Sequence, residues 1–160
     1  MTTSAARMEG ALADRDRWTA EDCSIDRAVR AIGSRTSMLL MRESYYGTRR
    51  FEDFARRVGV TPAVAAARLR ELVELGVLER TPYRDPGQRS RYEYALTPAG
   101  VDFLPVVMAF MHWGDRHLAE GGRPPLRADH HGCGADVRTA LLCAEDHEVP
   151  LDELSFRAGA

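Results

Sequence analysis

Residues 49–94 read RRFEDFARRVGVTPAVAAARLRELVELGVLERTPYRDPGQRSRYEY. Phe51, Phe54, Ala55 and Val58 recur at i, i+3, i+4 and i+7, so they share one face of a short helix over about 50–58. Gly59-Val60-Thr61 makes a turn. Thr61 is a good cap for the next helix, and Pro62 suits its first position because no backbone N–H is needed there. That helix runs from 62 to about 75 and stops at Gly76. Val77, Leu78 and Arg80 begin a strand, and residues 91–96 (RYEYAL) alternate as a second. Asp85-Pro86-Gly87 between them is a strong turn signal. Helix, turn, helix and then a β-ribbon is the plan of a winged helix-turn-helix, a mainly α fold with a small β-wing.

The pattern extends on both sides. Ser24 precedes an apolar-periodic run through Ile25, Ala28, Val29 and Ile32 that stops at Gly33, a helix over about 24–32. A second helix, about 35–46, carries Met38, Leu39, Leu40, Met41 and Tyr45 and ends at Gly47; it is expected to be the most buried. Thr97-Pro98 opens a long last helix, about 98–119. Residues 1–22 are polar, alanine-rich and unpatterned and read as a mobile arm, with a short helix near Trp18. Residues 120–128 form a Gly/Pro linker, and 129–160 an acidic tail with two cysteines and three histidines. The expected organisation is therefore an arm (1–22), one domain (23–119), a linker and a tail.

Composition narrows the class. In 160 residues, 44% are hydrophobic, enough for a compact core, and no apolar run is long enough to span a bilayer. The N-terminus lacks the basic-then-apolar pattern of a signal peptide, so a cytoplasmic protein with no membrane partner is expected. Three cysteines, Cys23, Cys133 and Cys143, are too few for a secreted disulfide scaffold. All 22 basic residues are arginine. The net charge of −2 hides an asymmetry: residues 35–91 hold twelve arginines against seven acids, and residues 129–160 hold two against seven. A basic centre in a near-neutral chain points to a local anionic partner, although arginines that merely solvate helix faces would give the same count.

With Ala65, Leu69, Leu72 and Gly76 set toward the core, the helix over 62–75 presents Ala63, Ala66, Ala67, Arg70 and Glu74 on its opposite face, with Arg68 at the flank. An alanine-lined face can approach a DNA groove closely, and Arg70 is placed to read a guanine edge. Alanine is also simply a good helix former, so the face alone does not decide the matter. Arg84, Arg89 and Arg91 lie on or beside the ribbon tip, suited to phosphates or a narrow minor groove. Arg35, Arg49, Arg50, Arg56 and Arg57 are further candidates for the DNA backbone. Arg70 is expected to govern base preference, and Arg89 affinity for all sequences.

The segment from Cys23 to about Gly114 resembles HxlR-type winged-helix transcription regulators. The matching pieces are CSIDRAVRAIGSRTSMLLMRE, RRFEDFARRVGVTPAVAAARLRELVELGVLERT and RYEYALTPAG. Cys23, Ile32-Gly33, Arg42-Glu43, Arg50-Phe51, Arg68-Leu69, Leu72, Gly76 and residues 94–100 fit the family pattern. Three positions depart from it: Thr36 stands where an aromatic is usual, and Ala65 and Ala66 replace a leucine and a serine. The resemblance implies a double-stranded DNA partner and dimerisation through terminal helices. It also implies that Cys23, at a helix start where the dipole favours a thiolate, can act as a redox sensor. A small cysteine near a dimer interface is the other reading.

Phe103, Leu104, Val106, Val107, Met108, Phe110, Met111, Trp113 and Leu118 cover more than one stripe of the last helix. A small domain buries one face, so the rest needs a partner, and a homodimer on a roughly palindromic site is expected, with packing against the chain's own tail as the alternative. His131 (or His130), Cys133, Cys143 and His147 resemble a worn zinc ribbon, the one candidate for a metal; the loose spacing favours a metal-free remnant that packs as a small β-hairpin. No P-loop, dinucleotide fingerprint, HExxH or nucleophile elbow is present, so an enzyme is not expected. A sequence-specific regulator, open to a small-molecule or redox signal, is the leading reading; a winged-helix protein-interaction module that binds no DNA is the rival.

Overall fold

A computed structural model describes residues 5–17, 23–84, 86–87 and 89–158. The helix expected near Trp18 and the turn residue Asp85 lie outside the described residues. The chain divides into two compact units: Arg27–Leu126, and a second that combines Met1–Asp26 with Arg127–Ala160. No helix among the described residues is long and apolar enough to cross a membrane.

The central unit holds most of the regular structure. In order these are α1 (Ser24–Ile32, whose first turn falls at the unit boundary), α2 (Arg35–Tyr45), α3 (Phe51–Val58), α4 (Pro62–Glu74), strands β2 (Leu78–Tyr83) and β3 (Arg91–Leu96), α5 (Pro98–Asp102) and α6 (Leu104–His117). Local chemistry sets the boundaries. The Ser34 hydroxyl accepts from the N–H of Ser37 at 3.1 Å, and Thr61 accepts from Val64 at 3.3 Å, so each satisfies a donor that the first helical turn leaves open. Gly59 closes α3 in the left-handed region at φ 71°, where a side chain would be strained. The strands pair antiparallel in a register that sets Leu78 opposite Leu96 and Tyr83 opposite Arg91.

The core is built from Leu40, Met41, Phe54, Leu69, Leu72 and Leu78, all fully buried, so α2, α3, α4 and the ribbon base share it. Phe54 meets Tyr94 edge-on, with ring centroids 5.9 Å apart. A polar joint accompanies it. Glu43 is buried; it accepts from Arg42 at 2.7 Å and from the Thr48 hydroxyl at 3.1 Å, and Arg57 donates to that hydroxyl at 2.7 Å. A buried carboxylate is tolerable only with such partners. The joint fixes the end of α2 to α3, and it occupies Arg57, which the sequence offers as a backbone anchor.

Two expectations change. The single helix over 98–119 is two, because Pro105 has no N–H to continue the ladder of α5 and its ring clashes one turn back; α6 restarts with the proline in its first turn. Gly76 does not join the core stripe of α4. It is exposed with φ 81° and turns the chain into β2. Beyond the ribbon, the Thr97 hydroxyl donates to the Gly76 carbonyl at 2.6 Å, and the Tyr45 hydroxyl donates to the Gly100 carbonyl, also at 2.6 Å. At Gly100 a side-chain carbon would stand 2.1 Å from the Val77 carbonyl oxygen, so this position accepts no other residue without moving backbone.

In the second unit, β1 (Arg7–Met8) pairs parallel with β4 (Ser155–Phe156), and Arg157 donates to Glu9 at 2.6 Å. The segment read as an arm and the segment read as a tail thus meet here. Two small hairpins complete the unit, closed by the bridges Asp129–Asp136 and Leu142–Glu148.

Candidate nucleic-acid interface

Helix α4 is pinned by one face. Ala65, Leu69 and Leu72 are buried, and the helical period therefore turns Ala63, Arg70 and Glu74 outward, with Ala66, Ala67 and Arg68 half-buried at the sides. Thr61, just before the helix, is exposed and spends its hydroxyl on the cap. Arg68 pairs with Glu71 one turn on.

The ribbon and the start of α3 add the remaining arginines. Arg49 and Arg50 both approach Glu93 at 3.7 Å. The N–H of Tyr94 donates to the Arg49 carbonyl at 2.9 Å, and Arg50 bridges Glu93, so this short stretch lines the edge of β3. The Arg50 guanidinium also lies 4.9 Å from the Tyr83 ring centre. Arg91 pairs with Glu52 at 3.1 Å. Arg84 and Arg89 are exposed in the connection between the strands, and Arg35 is exposed at the first position of α2.

Seven of these arginines fall into two groups. Arg49, Arg50, Arg68 and Arg91 have carboxylates nearby, all at least partly exposed. Exposed pairs of this kind contribute only about 0–1 kcal/mol each, so exchanging the carboxylate for a phosphate costs little. Arg35, Arg70 and Arg89 make no hydrogen bond or ion pair among the described residues. Arg70 does act electrostatically on Tyr94: burial pushes that phenol's pKa up, and the charges of Arg80 and Arg70 pull it back.

The other candidates are more dispersed. Cys23 is half-buried with a free thiol, immediately ahead of α1. In the tail, His130 rather than His131 meets Cys133, at 3.1 Å from Nδ1 to Sγ, and Cys143 bonds to the backbone carbonyl of His147. Among the described residues no three His, Cys, Asp or Glu side chains converge as a metal site. Zinc needs about four N/S/O ligands converging within about 2.0–2.3 Å; His131, Cys133, Cys143 and His147 are not brought together and do not fit that ion. Sequence reasoning passed over Arg80 and Tyr92, whose rows on the ribbon carry the same face as buried Leu78 and Tyr94; strand parity was the available signal.

Comparison with known proteins places this geometry. The profile described as HxlR-like helix-turn-helix matches residues 31–121. A Mycobacterium tuberculosis relative, the uncharacterised HTH-type transcriptional regulator MT3179, is 40% identical over 121 residues, covering 75% of each chain. The crystal structure of PA1607, described as a candidate transcription factor, superposes with a TM-score of 0.75 at 27% identity, over 88% of this chain and 96% of that one. The redox regulator HypR in its reduced form superposes with a TM-score of 0.52 at 27% identity, over 57% of this chain and 89% of HypR.

Proposed function

This chain belongs to the HxlR-like helix-turn-helix family of DNA-binding transcriptional regulators, and from that premise we propose that it acts as a homodimer on a specific, roughly palindromic operator in the cytoplasm. The observation that carries the reading is the outer face of α4, where Arg70 is exposed, makes no hydrogen bond or ion pair among the described residues and is bordered by alanines. In this reading Arg70, with Ala63, Ala66 and Ala67, faces the major groove, and Thr61 and Arg68 lie at its margin. Arg84, Arg89 and Arg91 hold the flank through the wing, while Arg35, Arg49 and Arg50 meet phosphates. Residues 23–119 form the DNA-binding and dimerising domain, joined through 120–128 to the tail.

The dimer forms through α6, where Phe110 is 65% and Trp113 58% exposed in the single chain, with help from α1, which exposes Ile25 and Val29. Apolar surface on this scale calls for a partner, and a second copy supplies a self-complementary one. The likeness to HypR, named as a redox regulator, supports Cys23 as a thiol sensor in this chain as well.

Fluorescence anisotropy tests the reading. The purified protein is titrated against DNA from upstream of its own gene and against an unrelated duplex, at two salt concentrations. Preference for the upstream DNA, with a log–log salt slope of about −5 for about six neutralised phosphates, supports it. Equally weak binding to both duplexes, repeated across a selection of genomic fragments, overturns it in favour of a protein-interaction module.

A further inference from the structure

An open pocket of about 420 Å³ lies between α4, the first turn of α3 and one face of the β2–β3 ribbon. Its apolar wall comes from Phe51, Val73, Tyr92 and Tyr94. Three guanidinium groups border it, Arg70, Arg80 and Arg91, with two carboxylates, Glu52 and Glu74. The charges are not evenly committed. Arg91 is taken by Glu52 at 3.1 Å. Arg80 lies over the Tyr92 ring, 4.7 Å from its centre, and makes no ion pair among the described residues. Arg70 makes none either. Among the described residues the lining thus holds one carboxylate without an ion pair, Glu74, and two guanidiniums without one, Arg70 and Arg80.

We propose that this pocket binds a small planar aromatic carboxylate, and that its occupancy competes with DNA for Arg70. The chemistry follows from the lining. A guanidinium presents paired donors that match a carboxylate, and such charge-assisted bonds are the stronger kind. The ring of the ligand finds aromatic and aliphatic surface in a concavity of the size small molecules use, about 300–1,000 Å³. A carboxylate drawn to Arg70 from the pocket side removes that side chain from the outer face of α4. The competition, though not the binding, rests on the reading that Arg70 contacts DNA. Linkage then requires that the ligand weaken DNA binding by the same factor by which DNA weakens ligand binding.

The test is isothermal titration calorimetry of the full chain with 2-naphthoate at constant ionic strength, with 2-naphthamide and inorganic phosphate as controls. Naphthoate is expected to bind once per chain, and the neutral amide and phosphate not measurably. Arg80→Gln and, separately, Tyr92→Leu are each expected to weaken it by about tenfold, the loss of one charge-assisted contact or of one stacking surface. Both side chains are exposed and outside the proposed DNA contacts, so either variant keeps the test alive if the other misfolds. No heat with naphthoate, or equal affinity in both variants, overturns the pocket. Binding of naphthoate with unchanged DNA affinity overturns the competition. A protein that binds naphthoate but no DNA sinks the operator reading and the competition while upholding the pocket.

Discussion

Helices α4 and α6 have nearly the same length and opposite relations to the chain that carries them. Helix α4 buries Ala65, Leu69 and Leu72 and leaves outside only small or polar groups and Val64. Helix α6 is richer in large apolar side chains and buries none of them. One helix completes its packing within the chain, and its outer face is free to meet something polar. The other leaves its packing unfinished, and water is a poor solvent for what it displays. Exposure alone does not separate the two surfaces; their chemistry does, since one is small and arginine-bearing, suited to the proposed DNA, and the other apolar, suited to the proposed second copy.

The sharpest way to break this contrast is at α6. Replacing both Phe110 and Trp113 by glutamate is expected to abolish self-association, bringing the mass in solution to the 17.8 kDa of one chain with an unchanged helical spectrum. Burying each such side chain is worth about 1.5–3 kcal/mol, so the loss across two copies amounts to several kcal/mol. A surviving dimer would mean that α6 is not the interface. Next comes the buried face of α4. Leu69→Ala should cost about 2–5 kcal/mol of stability in chemical denaturation, the range for a core leucine, and a loss well below that would show α4 to be loosely held.

A smaller effect is expected on the outer face. Arg70→Ala should relax discrimination at one base position by about 1–3 kcal/mol, whereas Arg89→Ala should weaken all sequences alike and reduce the salt slope by about 1. Equal effects of the two substitutions on every duplex would erase the division between helix and wing. The smallest concerns pH. Burial pushes the Tyr45 phenol up to about 12 from an ordinary value of 10.0. The unfolded chain loses that proton first, so the stability it confers is complete below pH 10 and is lost as pH rises toward 12. Tyr45→Phe should flatten that part of the pH–stability curve, only in part because Tyr94 is shifted in the same direction. An unaltered curve would assign the alkaline loss to other groups.

The central fold was legible because its signals are local. Thr61-Pro62 opens α4, Gly59 closes α3, and the alternation of residues 91–96 matches β3 residue for residue. What was missed depends on contacts far apart in sequence or on a local rule outweighed by pattern. The break at Pro105 was visible in the residue itself, but the surrounding apolar run read as continuous. The Glu43–Thr48–Arg57 joint needs two helices to be packed before it exists. Pairing of Arg7 with Ser155 joins two-residue strands too short to show a period. On the outer face of α4 the helical period gives Ala63, Arg70 and Glu74 as exposed, while Ala66 and Ala67 are half-buried at its sides; the pocket beside it is not legible, because its lining comes from α3, α4 and the ribbon together. In the tail, residue types suggested a metal, and types alone carry no information about convergence.

The tight approach at Gly100 has a mechanical consequence. With no room between that residue and the Val77 carbonyl, and with Thr97 and Tyr45 fastened on either side, the start of α5 works as a locked joint on the base of the ribbon. The interruption at Phe103 is a second joint in series, and it lacks the proline's hydrogen bond. Along the chain, the break in helical structure between α6 and the elements proposed to face DNA therefore falls at Phe103. In the proposed dimer, a change in how two α6 helices cross reaches the wing through this short segment and through α2, against which α6 also packs, which makes the two together the gearing between assembly and grip.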